Sequence, residues 1–105
     1  MITQEEAEQA VHDIIENAPE MGKSKARKEY LEQYRKTKKA QLVQKATGTV
    51  QERESYAYAH PDYIQLLKDL ETATENFERQ NWIMRAWQIT VDAWRTQESS
   101  RRISI

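Results

Sequence analysis

Apolar residues in the C-terminal half of the chain recur at the spacing of a long helix that packs against other helices. With Tyr63 as position a of a seven-residue repeat, nine of the ten a and d positions up to Trp94 are apolar, and Gln80 is the exception. The a positions are Tyr63, Leu70, Phe77, Met84 and Val91, and the d positions are Leu66, Ala73, Gln80, Trp87 and Trp94. Such a repeat is typical of helices whose side chains interlock along a seam. It predicts a helix over residues 61–97, about 55 Å long at 1.5 Å per residue.

Three residues mark the start of this helix, namely His60, Pro61 and Asp62. Proline is favourable at the first helical position, and Asp62 places a negative charge near the positive end of the helix dipole. His60 is expected to be a cap or turn residue. A continuous helix with a kink at Pro61 is the alternative.

The N-terminal segment predicts a short helix over about residues 3–17. Thr3 and Glu6 form a capping box at its start, and Pro19 is expected to end it. Between them, apolar residues have the spacing of one helical face: Ala7, Ala10, Val11, Ile14, Ile15 and Ala18. A helix this short is marginal alone, so it is expected to dock on another element.

A second helix is predicted over residues 22–46, with Gly48 as its stop signal. Its apolar stripe is thin and consists of residues on one side of the helix, namely Ala26, Tyr30, Tyr34, Thr37 and Gln41. Lys28, Arg35 and Lys39 lie on the opposite side, flanked by Lys25 and Lys36. The pattern predicts that this basic stripe faces solvent. A third helix over residues 50–59 is expected to open with another capping box, formed by Thr49 and Glu52.

These elements predict an all-α chain with a single helical domain over residues 1–105. We expect an elongated helical hairpin or small bundle with a long coiled-coil-like C-terminal helix, along which residues 22–46 run back. Residues 99–105 lack periodicity and are expected to form a loose tail.

Composition agrees with this fold class and limits the chemistry. Charged residues make up 31% of the chain and hydrophobic residues 38%, and glycine and proline occur twice each, so turn signals for strands are few. Without cysteine, disulfides and thiolate metal sites are excluded. No stretch approaches the roughly 18 apolar residues of a membrane helix, and the acidic N-terminal residues do not resemble a secretory signal. A cytoplasmic protein without a membrane partner is expected.

Titratable residues do not form a recognisable catalytic set. Glu8, His12 and Glu16 share a helical face, but a solvated acidic face explains them better than a metal site. No Ser/His/Asp set, phosphate-binding glycine loop or pair of carboxylates in a cleft is found in the sequence. We therefore expect a non-enzymatic protein with no catalytic, metal-binding or cofactor-binding residues.

Two surfaces are candidates for binding. Apolar residues outside the seam, namely Trp82, Ile83, Ala86, Ile89 and Ala93, exceed what one chain can cover. Trp82, Ile83 and Ile89 are the candidate protein-interface residues, and self-association as a dimer or higher oligomer is expected. The net charge is -1, but residues 21–49 hold nine bases and two acids. The candidate nucleic-acid-binding residues in that segment are Lys25, Lys28, Arg35, Lys36 and Lys39, which would contact phosphates without reading sequence.

Several segments over residues 22–100 resemble a family of small uncharacterised helical proteins of tailed bacteriophages. The most distinctive are His60-Pro61-Asp62-Tyr63, led by Tyr56-Ala57, and Trp94-Arg95-Thr96-Gln97. The others are Lys25-Ala26-Arg27, Tyr30-Leu31 and Tyr34-Arg35-Lys36. The resemblance implies a gene near recombination and replication functions and carries over no catalytic residue.

Together these features predict an accessory protein in the host cytoplasm. It would bind a phage or host protein of DNA recombination or replication through its helical surfaces. The alternative is a direct, sequence-independent nucleic-acid binder that uses the basic helix of residues 23–45.

Overall fold

A computed structural model describes residues 1–104 of the chain, and of Ser104 the backbone alone. These residues form three helices and no strand. They are α1 (Gln4–Lys45), α2 (Val50–Ala59) and α3 (Pro61–Ser104). The predicted all-α fold class with a long C-terminal helix is confirmed.

The helix α1 is continuous over 42 residues and contains Pro19 in its interior. The prediction of two helices over residues 3–17 and 22–46 is therefore wrong. A proline inside a helix removes one backbone hydrogen bond and costs about 3 kcal/mol.

Packing on both sides of Pro19 explains why the helix continues. Ala7 and Ala10 are buried before it, and Leu31 and Leu42 are buried after it. Pro19 itself is exposed, so water can reach the backbone carbonyl that the proline leaves without an amide partner. Tertiary burial has outweighed the local stop signal.

The predicted threonine caps are formed, although Glu6 accepts its 3.2 Å hydrogen bond from the Thr3 hydroxyl and not from the Thr3 amide. Thr3 Oγ1 accepts a 3.1 Å hydrogen bond from the amide of Glu6, and Thr49 Oγ1 accepts one of the same length from the amide of Glu52. His60 ends α2 and caps α3, because its Nδ1 accepts a 3.0 Å hydrogen bond from the amide of Asp62. The helix α3 begins at Pro61, as predicted.

The C-terminal end of α3 differs from the prediction. Residues 99–104 continue the helix, so the expected end at residue 97 and the loose tail are wrong there, and Ile105 lies outside the described residues. Arg101 and Arg102 lie in the last turn, where positive charge is favourable at the negative end of the helix dipole. Arg101 also pairs with Glu98 at 3.7 Å.

The chain divides into two compact units, whereas the sequence suggested one domain. Unit 1 consists of Met1–Lys23 and Glu78–Ile105. Its α1 and α3 segments are antiparallel, because Ile2 contacts Gln97 while Asn17 contacts Gln80. The side chain of Gln97 exchanges hydrogen bonds of 2.8 and 2.9 Å with the backbone of Ile2. Ala7, Ala10 and Val91 are its buried residues.

Unit 2 consists of Ser24–Phe77 and contains α2. Leu42, Ala57 and Tyr63 form its core, with Val43 packed against them. At the other end of the unit, Asn76 donates a 2.9 Å hydrogen bond to the buried hydroxyl of Ser24. The α2 segment therefore contributes to the core through a small residue, Ala57, which is fully buried.

All ten predicted seam positions of α3 are at least partly buried. Tyr63, Leu66 and Val91 are buried, and the other seven are partly buried. The predicted apolar face of residues 7–18 is confirmed in part, since Ile15 is 67% exposed and Val11 is 43% exposed. Val11 instead lines a shallow groove with Val91 and Trp94.

Candidate interaction surfaces

An apolar strip runs along α3 in unit 1, on the side that faces away from the seam. It consists of Trp82, Ala86, Ile89 and Ala93, which we call the α3 strip. Their spacing of four, three and four residues places them within about 60° of one another around the helix. Trp82 is 62% exposed and Ile89 is 65% exposed. Ala86 is also exposed, and Ala93 is partly buried.

The α3 strip has one apolar edge and one charged edge. Ile83, which is 37% exposed, lies on the first edge together with Thr90. Arg85 and Asp92 lie on the second edge, seven residues apart, and both are exposed. The guanidinium of Arg85 lies 5.1 Å from the ring centroid of Trp82, which is a cation–π distance.

The three predicted interface residues are therefore all on the surface and close together on α3. Trp82 and Ile89 belong to the strip itself, and Ile83 borders it. That they contact another protein stays a prediction.

The packed side of α1 in unit 2 differs from the predicted side. Leu31 and Leu42 are buried, whereas Tyr30 of the expected apolar stripe is 59% exposed. The two leucines are eleven residues apart, which places them about 20° apart around the helix. They define the packed side because burying two large apolar side chains is favourable.

This change of face brings much of the basic stripe towards the interior. Lys28, Arg35 and Lys39 are partly buried, so the prediction that the stripe is solvent-facing is wrong for them. Lys25 and Lys36 are exposed. Long basic side chains tolerate this position because their aliphatic stems cover apolar surface while their charged ends stay near water.

Lys28 is engaged by two groups within unit 2. Its Nζ lies 4.9 Å from the ring centroid of Phe77 and 3.6 Å from Oε1 of Glu32. Its charge is therefore shared with an aromatic ring and a carboxylate. Among the five candidate nucleic-acid-binding residues, Lys28 is therefore already engaged by groups of its own chain.

Three of the five converge on one cavity, which we call the basic pocket. Its volume is about 340 Å³, and it is lined by Arg35, Lys36, Lys39, Tyr58 and Tyr63. Three cations and two phenol groups around a concave surface are suited to an anion such as a phosphate.

The Lys39 ammonium in this pocket lies against the ring of Tyr58. Its Nζ lies 4.4 Å from the ring centroid of Tyr58. A hydrogen bond with the Tyr58 side chain is the largest cause that raises the pKa of Lys39 above its ordinary value, and Glu54 adds to the effect. The rings of Tyr58 and Tyr63 pack edge to face at 5.5 Å, which orients the aromatic wall.

Glu8, His12 and Glu16, which share one face of α1, make contacts within that helix. Nε2 of His12 lies 3.1 Å from Oε1 of Glu16, and Gln4 donates a 3.0 Å hydrogen bond to Glu8. Among the described residues, no group of three or more His, Cys, Asp or Glu side chains is arranged to hold a metal ion. Nor does any helix within residues 1–104 have the length and apolarity needed to cross a membrane.

Sequence reasoning missed four residues of these surfaces. The roles of Tyr58 and Tyr63 beside the basic residues depend on how α2 folds back, which no local pattern indicates. Arg85 and Asp92 could have been found from the sequence, because they flank a second seven-residue repeat on α3, which is formed by the residues of the α3 strip.

Comparison of the chain with protein-family models, with curated protein sequences and with solved structures gives no match. The α3 strip and the basic pocket are the two surfaces whose chemistry points to a function. The two surfaces lie in different units and differ in chemistry, so each can be tested by its own substitutions.

Proposed function

We propose that this chain is a non-enzymatic accessory protein that works by binding another protein chain through the α3 strip. The observation that supports this proposal is the exposure of two large apolar side chains, Trp82 and Ile89, on one continuous strip. Contiguous exposed apolar surface marks protein-interaction sites, and tryptophan is enriched among the residues that contribute most to binding.

The proposed partner is a phage or host protein of DNA recombination or replication, which the chain would bind in the host cytoplasm. This part of the proposal is supported by the resemblance of residues 22–100 to small bacteriophage proteins. The strip suits such a partner because a helix edge with an aromatic residue can dock in a groove or beside a second helix.

The test is affinity capture of partners from phage-infected cells, with and without nuclease. We expect a protein that remains bound after nuclease treatment and that is lost with Trp82→Glu. The matched control is Tyr30→Glu, which introduces the same charge at an aromatic residue of similar exposure, 59%, on α1 in unit 2. Equal capture by both variants would contradict the proposal.

A second candidate function is direct binding of nucleic acid by the basic helix of residues 23–45. It is supported by the convergence of Arg35, Lys36 and Lys39 on the basic pocket. In the same capture experiment, this function predicts that nucleic acid is recovered together with any captured proteins. Loss of those proteins on nuclease treatment would favour direct nucleic-acid binding over protein binding through the α3 strip.

A further inference from the structure

We propose that the occupant of the α3 strip is a second copy of this chain, bound antiparallel about a twofold axis between residues 87 and 88. This inference rests on the proposed function in one respect: the strip is taken as a protein-binding surface. It adds that a second copy covers the strip, in a defined register, when the phage or host partner is absent, so that this partner competes with the second copy for the strip.

The first argument is the alternation of large and small side chains along the strip. Trp82 and Ile89 occupy one position of its seven-residue repeat, and Ala86 and Ala93 occupy the other. In an antiparallel pair of helices, each layer of the interface places a residue at one of these two positions against a residue at the other position in the second copy. Trp82 then packs against Ala93 of the second copy, and Ala86 packs against its Ile89.

A parallel pair would be poorly packed. Its layers join identical positions, so Trp82 would meet a second Trp82 and Ala86 would meet a second Ala86. Two large side chains in one layer force the helices apart, and two alanines in the next layer would leave a gap. The alternation therefore favours the antiparallel arrangement.

The second argument is charge. In the register centred between residues 87 and 88, the charged edges of the two strips face each other. Arg85 of each copy lies beside Asp92 of the other copy, so two opposite-charge pairs flank the four apolar layers. Flanking pairs of this kind set orientation and partner choice in paired helices.

Neighbouring antiparallel registers lose this complementarity. A shift of one heptad in one direction brings Arg85 beside the second Arg85 and Glu78 beside Asp92. A shift in the other direction brings Asp92 beside the second Asp92. Like charges in these positions are repulsive. The charge pattern therefore selects the same register as the side-chain sizes.

The apolar edge completes the contact. Ile83 of each copy lies beside Thr90 of the other in this register, which covers the remaining exposed branched side chain of the interface. Four apolar layers are fewer than a large obligate interface contains, so we expect a dimer that dissociates in the micromolar range.

Sedimentation equilibrium tests the proposal with a charge-reversal cycle. Arg85→Asp and Asp92→Arg should each weaken the dimer about tenfold, because each places like charges at both flanking pairs. The double variant should recover the parental association, since opposite charges meet again. The control is Arg95→Asp, which makes the same charge change outside the strip and should leave the dimer intact. Far-ultraviolet circular dichroism shows that each variant remains helical.

The other outcomes overturn the proposal in distinguishable ways. Single variants that associate as strongly as the parent would exclude this register. A parent that stays monomeric at every concentration, while Trp82→Glu still abolishes capture of a different protein, would exclude self-pairing and leave the proposed function standing. A monomeric parent whose captured proteins do not depend on Trp82 would overturn both.

Discussion

The side-chain amide of Asn17 donates a 2.8 Å hydrogen bond to Oε1 of Gln80, and this bond joins the one polar residue of the α3 seam to α1. Both side chains are partly buried. A polar residue in an apolar seam lowers stability unless it has a partner, and with one it specifies which residues face each other. The pair therefore fixes the alignment of the two segments within unit 1.

Replacing one member of this pair should be worse than replacing both. Gln80→Leu leaves the Asn17 amide without its partner and should lower the free energy of unfolding by about 1–2 kcal/mol. Adding Asn17→Leu should restore most of the loss, because two apolar side chains then share the site. Urea denaturation of the parent, both single variants and the double variant measures this coupling. Additive losses would show that the bond contributes nothing.

Replacing the proline inside α1 should stabilise the folded chain. Pro19→Ala should raise the free energy of unfolding by up to about 3 kcal/mol, because it restores a helical hydrogen bond and removes a steric clash. Gly22→Ala is the companion change, since nothing lies within 4 Å of the added carbon, and we expect a gain of about 0.5–1 kcal/mol. Urea denaturation measures both changes. If neither variant were more stable than the parent, the result would contradict a continuous α1.

The core of unit 2 should be most sensitive at Leu42, which is 2% exposed. Leu42→Ala should cost about 2–5 kcal/mol, the range for a buried leucine whose removal leaves a cavity. The matched control is Leu67→Ala, because Leu67 belongs to the same unit and is 39% exposed. We expect this control to cost less than half as much in thermal or urea unfolding. Similar losses would place the core elsewhere.

If the basic pocket contacts phosphates, binding to duplex DNA should be weak, sequence-tolerant and strongly dependent on salt. Each phosphate contact should contribute about -0.9 to the slope of log affinity against log salt concentration. Lys36→Glu should reduce the magnitude of that slope, whereas Lys25→Glu, outside the pocket, should change it less. Fluorescence anisotropy with labelled DNA measures both. Equal effects of the two variants would indicate a diffuse basic surface instead of a pocket.

Features that depend on local sequence were predictable. The seam of α3 follows from its repeat, and the caps at Thr3, Thr49 and His60 follow from side chains that reach amides two or three residues away. These signals act over a few residues, so one sequence contains all the information they need.

Features that depend on a competition between local sequence preferences and tertiary packing were not predictable. The stop signal at Pro19 was overridden by burial on both sides of it, and the buried side of α1 was decided by Leu31 and Leu42 instead of by the tyrosines. For the same reason the solvent-facing prediction was wrong for Lys28, Arg35 and Lys39, which are partly buried. The α3 strip was partly predictable, because its two large residues, Trp82 and Ile89, lie outside the seam, but its charged edge was not recognised.

Disulfide cross-linking tests the pairing of α3 strips most directly, because the chain has no cysteine of its own. In the antiparallel register, Glu78 lies beside Ser99 of the second copy, whereas the two Glu78 residues are about 30 Å apart along the axis at 1.5 Å per residue. A mixture of the Glu78→Cys and Ser99→Cys variants should therefore form a mixed disulfide, while each variant alone should not cross-link. Efficient cross-linking of each variant with itself, or none in the mixture, would contradict the proposed interface.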